Sequence, residues 1–451
     1  MHGAKSGRTY NGYSMIFLYI LNLIIWIALI IFPPLYFTLY FKLKPINPLT
    51  VYAFLKAPST IITTISGPIV FLKNGLFNPY FHYALLVHDT RIMLGTILLI
   101  LLVHLFNGPA FKPRLDKLLN NQRLARPERM RIASWFFLFL FTLSFVLLAQ
   151  HSFSVVQWIL HPREGYQYHR TAAGEWYALC VAFLSMALVL GTVYAPSIST
   201  LLKQMPIFFF GVYLLGSKDY ILLYVAYYVI ILSMRKFRYL LPLAITMASL
   251  GALLVLYNLG TSMNGVTLEN IAVYSDSYVN AAHYYQRYLD GRIPLYYGKI
   301  GFTSFWRMTP RALFPDKPYV YGVTFINEIF FPGMAAKSFT PAFATVTYFA
   351  DFGWLGILLH SLLDPGLIFT ALLYVVALPS LSSLDPRQSR KHPRLLFYAF
   401  VLLAAPGLMV YFDFPLNILL FTYVVLIIEL ISRIVFLNEP ISSSTRSALP
   451  E

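Results

Sequence analysis

Cysteine is almost absent. The 451 residues hold one, Cys180, within an apolar run, which excludes an intramolecular disulfide and any cysteine-based metal cluster and leaves it as a small packing residue. Charge is scarce too: charged residues make up 12% of the chain, where an ordinary soluble domain carries about 25%. Acid is the scarcer sign, with 18 Asp and Glu against 34 Lys and Arg and a formal charge of +16. The histidines show no HExxH or other ligand spacing, and neither a phosphate-binding P-loop nor a dinucleotide fingerprint occurs. No acidic pair follows the first apolar run and no clustered aspartates lie on a basic loop, so the usual carboxylate holders of a divalent ion are missing. ATP, NAD and a metal cofactor are therefore not expected. A charged start followed by a cleavage site of small residues is lacking as well, so the first apolar run reads as a retained span.

What the chain has in abundance is apolar residues, 58% of the total, in runs that recur from end to end. A bilayer core takes about 20 residues of helix, and helices satisfy their own backbone polar groups in lipid. The predicted fold class is an all-α polytopic membrane protein of about 11 transmembrane helices. A first span is expected at 14–41, where Pro33 and Pro34 each remove a backbone donor and predict a kink. A second follows at 49–72, then a polar, aromatic link through His82 and His88, then a third span at 92–106. Seven cations from Lys112 to Arg131 mark the cytoplasmic side. The basic surplus is thus read as cytoplasmic retention and not as nucleic-acid binding.

Spans at 135–156 and 177–195 enclose a short outside turn. Two short apolar runs, 205–215 and 220–234, flank Gly216-Ser217-Lys218-Asp219. They predict a helical hairpin whose charged turn dips into the membrane from outside, since irregular backbone survives at that depth where it lines a wet cavity. Arg235, Lys236 and Arg238 mark the cytoplasm again, and a span at 239–257 crosses outward. An apolar stretch at 348–381 returns to Arg387, Arg390, Lys391 and Arg394, and spans at 395–411 and 415–436 leave the tail inside. Lys5 and Arg8 argue for the opposite orientation and are outweighed by three basic clusters that agree. The expected organisation is N-terminal transmembrane helices at 1–257 with the hairpin at 205–234, a large extracytoplasmic loop at 258–345, C-terminal helices at 346–437 and a cytoplasmic tail at 438–451.

Residues 258–345 are too polar for lipid and hold seven Lys and Arg against five Asp and Glu. The cations coincide with aromatics: Tyr284, Tyr285, Tyr288, Tyr296, Tyr297, Phe302, Phe305, Trp306, Tyr319 and Tyr321 interleave with Arg287, Arg292, Lys299, Arg307, Arg311 and Lys317. Aromatic rings cover the C–H face of a sugar and arginine forks take phosphate oxygens in pairs. The mixture suits a saccharide linked to a lipid diphosphate. An interfacial aromatic belt with headgroup-bound arginines has the same composition, and composition alone does not separate the two.

Two stretches carry a resemblance. The pattern Arg307-x-x-Pro310-Arg311-x-x-x-Pro315-x-Lys317-Pro318, followed by Tyr348-Phe349-Ala350-Asp351-Phe352-Gly353-Trp354-Leu355-Gly356, resembles the Wzy-type O-antigen and oligosaccharide repeat-unit polymerases. Gly216-Ser217-Lys218 is similar to the Gly-x-Arg hairpin turn of that family, with lysine in place of arginine. The order of hairpin, span, long loop and Gly-rich re-entry agrees over most of the chain. The resemblance implies a fold like the C-type membrane glycosyltransferases, in the bacterial cytoplasmic membrane, acting without metal. It further implies the reaction: an undecaprenyl-pyrophosphate-linked glycan moves en bloc onto the nonreducing end of an acceptor repeat unit and undecaprenyl pyrophosphate leaves, with a chain-length regulator protein as a partner. One alternative is an O-antigen ligase, which shares the architecture and calls for a prominent loop histidine, where His283 is the candidate. Another is a transporter or flippase for lipid-linked sugars, which predicts internal repeats and charges in several spans.

A glycosyl pyrophosphate carries a good leaving group, so the chemistry asks for cations on the departing charge and a carboxylate on the acceptor hydroxyl. Arg307, Arg311 and Lys317 are the first candidates for the pyrophosphate, and Arg287, Arg292 and Lys218 the second. Trp306, Tyr319 and Tyr321 are candidates to meet the sugar. Snorkelling or headgroup-bound cations are the plain alternative. Glu328, set among apolar neighbours, is the candidate general base, with Asp316 and His283 as alternatives, and pairing with an arginine would make it structural instead. Asp351 is expected to cap or orient the re-entrant segment.

Overall fold

Long apolar runs leave a backbone in lipid few ways to satisfy itself, and the chain takes the helical one. The computed structural model describes chiefly residues 12–43, 80–114, 127–152, 154–166, 174–193, 197–234, 276–309, 314–336 and 342–362, with scattered positions at 45–53 and 367–375. These form helices and turns, with no strand among the described residues. Helix α1 (Gly12–Tyr40) continues through Pro33 and Pro34. With α2 (Phe81–Asn107) and α3 (Pro127–Ser152) it supplies the three described helices long and apolar enough to cross a membrane, over Ile20–Tyr40, Phe81–Asn107 and Arg129–His151. Their outward faces carry Ile24, Leu35 and Leu39, then Ile97 and Leu101, then Phe136, Phe139 and Leu143, all exposed. Soluble monomers rarely show contiguous apolar patches beyond a few hundred Å², so this is a surface made for hydrocarbon.

Behind these helices stand α4 (Val155–Leu160), α5 (Gly174–Val193), α6 (Ile198–Leu214) and α7 (Lys218–Met234). Helix α3 packs along α5, and the Ser134 hydroxyl donates to the Ala187 carbonyl across that seam at 2.7 Å. Trp158, Leu184, Leu188, Tyr224, Tyr227 and Tyr228 are fully buried in the core between them. Helices α6 and α7 flank the turn at 215–217, and α6 begins earlier than the apolar run at 205–215 suggests. Ser197 accepts from the Thr200 amide at 3.1 Å and starts the helix there. Each hairpin helix has 17 residues and is about 25 Å long.

The described part of the polar stretch at 258–345 is folded. It contains α8 (Asp276–Leu289), α9 (Lys299–Thr303), a 3₁₀ turn at Ser304–Met308 and α10 (Thr324–Phe330), and is followed by α11 (Val346–Phe352) and α12 (Trp354–Leu362). These pack into a second core with the start of α2: Ala84 and Val87 meet Ala281, Tyr284, Tyr285, Ile300, Val346 and Phe349. Trp26, Phe81 and Leu85 meet Tyr278 and Ala282. Here the sequence expectation is corrected. The polar link through His82 and His88 is the opening of α2, and the third span is longer than 92–106. Polar residues in those turns disguise a face of Phe81, Ala84, Leu85 and Val87, each 3% exposed or less. The span expected at 395–411 and the tail lie outside the described residues, as do the spans at 239–257, 415–436 and 49–72 apart from scattered positions.

Candidate functional site

Two irregular segments are held in place by side chains that come from far along the chain. The first is the hairpin turn. Gly216 has φ +64°, and a Cβ there would stand 2.0 Å from the Pro162 carbonyl oxygen, so glycine is required. The last carbonyls of a helix have no partner within it, and in α6 they are met from outside. Trp158 Nε1 donates to the Leu214 carbonyl at 2.8 Å, and the Tyr177 hydroxyl donates to the Leu215 carbonyl at 3.1 Å. In return the Tyr213 hydroxyl donates to the Ile159 carbonyl at 3.1 Å. Lys218 is the first residue of α7, directly after this fixed turn.

The second segment ties the 348–356 stretch to residues 296–301, just ahead of the stretch that begins at Arg307. Asp351, 4% exposed at the end of α11, accepts from the Ile300 amide at 3.0 Å and from the Gly301 amide at 2.7 Å. A carboxylate at the amide end of a helix satisfies donors and meets the favourable end of the dipole. Asp351 is expected from the sequence to cap or orient its own segment; its carboxylate instead caps α9, some fifty residues back in the chain. The Tyr296 and Tyr297 amides donate to the Ala350 and Asp351 carbonyls, both at 2.9 Å. Gly353, with φ +61°, then breaks α11 from α12. Helix α9 runs into the 3₁₀ turn that includes Trp306 and Arg307, so the re-entrant segment sets where that turn begins.

Around this clamp the cations rest on rings. Lys299 Nζ lies 4.3 Å from the centre of Phe325 and Lys317 Nζ 4.8 Å from that of Tyr321. The Arg287 guanidinium lies 4.5 Å from the centre of Phe330 and donates to the Ile329 carbonyl at 3.3 Å. Composition suggested rings for sugars and cations for phosphates; here several rings face the cations themselves. Lys317 Nζ also donates to the Thr309 carbonyl at 3.0 Å, which ties the end of the basic motif back to the 3₁₀ turn. The Gly322 amide donates to Thr303 Oγ1 at 2.8 Å, closing the same ring of chain. Trp306, Lys317 and Tyr321 are thereby gathered into one neighbourhood. Trp306 packs against Phe305, with Tyr319 exposed nearby in sequence.

The remaining candidates fall elsewhere. Arg292 is 72% exposed and 3.5 Å from Asp290. Asp316 is exposed. Glu328, on α10, accepts from the Gly333 amide at 2.8 Å and the Ala335 amide at 3.3 Å, so its carboxylate holds a turn and is not paired to an arginine. His283 sits on α8, where burial and then Arg287 hold its pKa below the ordinary imidazole value. Burial pushes the Tyr284 and Tyr285 phenols up, and both stay protonated. Arg311 lies outside the described residues. No group of three or more His, Cys, Asp or Glu that could hold a metal ion occurs among the described residues. Sequence reasoning missed Arg91, which looked like the edge of a span and is an interior residue of α2.

Two curated proteins are similar to this chain, the O-antigen polymerases of Salmonella typhimurium strain LT2 and of Salmonella typhi. Each is 27% identical over 223 residues, which is 48% of this chain and 53% of the relative. The chain therefore spans about half the length of the curated relatives it matches. No protein-family profile and no solved structure matches it.

Proposed function

We propose that this chain polymerises lipid-linked oligosaccharide repeat units for a bacterial surface polysaccharide, at the outer face of the cytoplasmic membrane. The observation that carries the reading is the Asp351 clamp. It joins the re-entrant Tyr348 to Gly356 segment to the start of the aromatic and basic stretch, so the two motifs that resemble O-antigen polymerases belong to one folded unit. The similarity to two O-antigen polymerases supports it independently.

The donor is an undecaprenyl-pyrophosphate-linked glycan. An acceptor hydroxyl attacks its anomeric carbon, the bond from that carbon to the pyrophosphate oxygen breaks, and the hydroxyl proton passes to a carboxylate. Negative charge grows on the departing pyrophosphate, and preorganised cations that meet it there lower the barrier. Arg307, Arg311 and Lys317 are assigned that task, with Arg287, Arg292 and Lys218 as further contacts. Lys317 supports the assignment by its place, since its bond to the Thr309 carbonyl and its seat on the Tyr321 ring hold the ammonium beside the 3₁₀ turn. Glu328 is assigned as the base: its two amide contacts fix the carboxylate and leave lone pairs for a hydroxyl. Trp306, Tyr319 and Tyr321 line the approach of the sugar. With fixed cations on the leaving group, the reaction proceeds without a metal ion.

The test supplies the purified protein in detergent with a lipid-linked repeat unit, EDTA and no nucleotide, and resolves products on a gel. A ladder of regular increments that collapses in Arg311→Ala and Glu328→Gln is the expected result. A ladder that needs added metal removes the metal-free mechanism. Movement of the substrate across proteoliposomes with no ladder replaces polymerisation by transport.

A further inference from the structure

Arg91 is the eleventh residue of α2, a helix long and apolar enough to cross a membrane. No acid pairs with it among the described residues. Its guanidinium lies 4.0 Å from the centre of the Tyr348 ring on α11, and the His360 ring on α12 lies 4.5 Å from the centre of the same tyrosine. Its Nε is buried without a hydrogen-bond partner. Arg91 is half-buried; a cation with an unpartnered buried nitrogen is costly unless a partner compensates it, and ionisable groups within membrane helices mark sites by default. Beside Arg91 is a cavity of about 230 Å³ whose lining includes polar Arg91, Thr96, His360 and Ser361 and apolar Leu99 and Leu367.

Depth and size narrow the occupant. At 1.5 Å per residue α2 is about 40 Å long, roughly 10 Å more than the hydrocarbon core. The surplus belongs to its start, because that end packs on α8 of the loop. Arg91, about 15 Å from that end, then lies close beneath the headgroups. The cavity equals roughly eight water volumes and falls below the 300 Å³ at which drug-sized pockets begin, taken as about the lower limit. It has room for a phosphate or diphosphate.

We propose that this cavity binds the phosphate head of a membrane lipid. The Arg91 fork takes phosphate oxygens, the Thr96 hydroxyl borders them, and the first carbons of the lipid lie against Leu99 and Leu367. The site shares no residue with the loop cations assigned to the leaving group, and it does not depend on that assignment. Its ligand comes from one of two sources, an isoprenoid diphosphate or a glycerophospholipid.

Native mass spectrometry of the full-length protein in maltoside detergent tests this with two probes, farnesyl diphosphate and phosphatidylglycerol. Arg91→Gln removes the charge. Gly95→Leu fills the space from another position on the lining, leaves Arg91 in place and suits the helix, because a Cβ at Gly95 meets nothing within 4 Å. At least one probe binds the unaltered protein, and each substitution weakens that binding by about ten-fold or more. Preference for farnesyl diphosphate identifies the isoprenoid source, and preference for phosphatidylglycerol the bulk bilayer. Binding of neither probe, or full affinity in either variant, overturns the proposal. The product ladder is scored on the same samples: lipid bound without a ladder counts against polymerisation alone, and a ladder without bound lipid counts against this site alone.

Discussion

The Asp351→Ala substitution tests how the loop is held. Two amides of α9, those of the buried residues Ile300 and Gly301, donate to this carboxylate at 3.0 and 2.7 Å. A hydrogen bond to a charged group contributes about 1.5 to 3 kcal/mol. The lower value applies, because the Tyr296 and Tyr297 amides still hold the segment to α11. Two bonds at about 1.5 kcal/mol give about 3 kcal/mol for local opening of α9, and about a hundred-fold faster amide exchange where opening limits it. Asp351→Asn keeps one accepting oxygen and should give about ten-fold. Hydrogen exchange read by mass spectrometry on peptides covering 296–303 measures both, with α8 peptides as the internal control. The reasoning fails if exchange at 300–301 in the alanine variant rises no more than in α8, or if alanine and asparagine behave alike.

Other consequences are as direct. Gly216→Ala puts a side chain at φ +64° and 2.0 Å from the Pro162 carbonyl oxygen, and should destabilise the hairpin by at least about 1 to 2 kcal/mol, seen as a lower melting temperature in detergent. Trp158→Phe keeps an aromatic ring but loses the indole N–H and leaves the Leu214 carbonyl without its donor; a loss of at least about 1 to 3 kcal/mol is expected, and an unchanged melting temperature would show that this hydrogen bond does not hold the turn. His283 should titrate below the ordinary value of 6.5 in histidine-labelled NMR, remaining neutral as pH falls through that value. Arg287→Gln should raise its midpoint only part of the way, because burial is the larger cause.

Some of this was legible in the sequence and some was not, for physical reasons. The hairpin was readable because Gly-Ser-Lys-Asp interrupts two apolar runs, and few other structures accommodate such a break. What was not readable was its anchoring by Trp158 and Tyr177, residues that look like ordinary membrane-interface aromatics. The opening of α2 was misread because four polar residues, His82, His88, Asp89 and Arg91, share three turns with four buried apolar ones. Lipid hydropathy averages over the faces of a helix, and a helix emerging from lipid onto a protein partner changes its rule part way along. The cations and rings of the loop were visible as a mixture. Their pairing, Lys299 on Phe325, Arg287 on Phe330 and Lys317 on Tyr321, depends on the turn of α10 and on closures across tens of residues. The sequence suggests that Asp351 caps or orients its own segment, and nothing local names a helix fifty residues away.

Helix α2 is long and apolar enough to cross a membrane and packs its first turns on α8, so where it crosses, the height of α8 is a property of the bilayer. A thicker membrane covers more of α2 and draws α8, with everything packed upon it, toward the headgroups; a thinner one lifts them away. Each ångström of mismatch costs a fraction of a kcal/mol, so the shift is small in energy, yet it moves the loop cations relative to any phosphate anchored at a fixed depth. Acyl-chain length should thus set the working rate, and the membrane should regulate this protein with no effector bound.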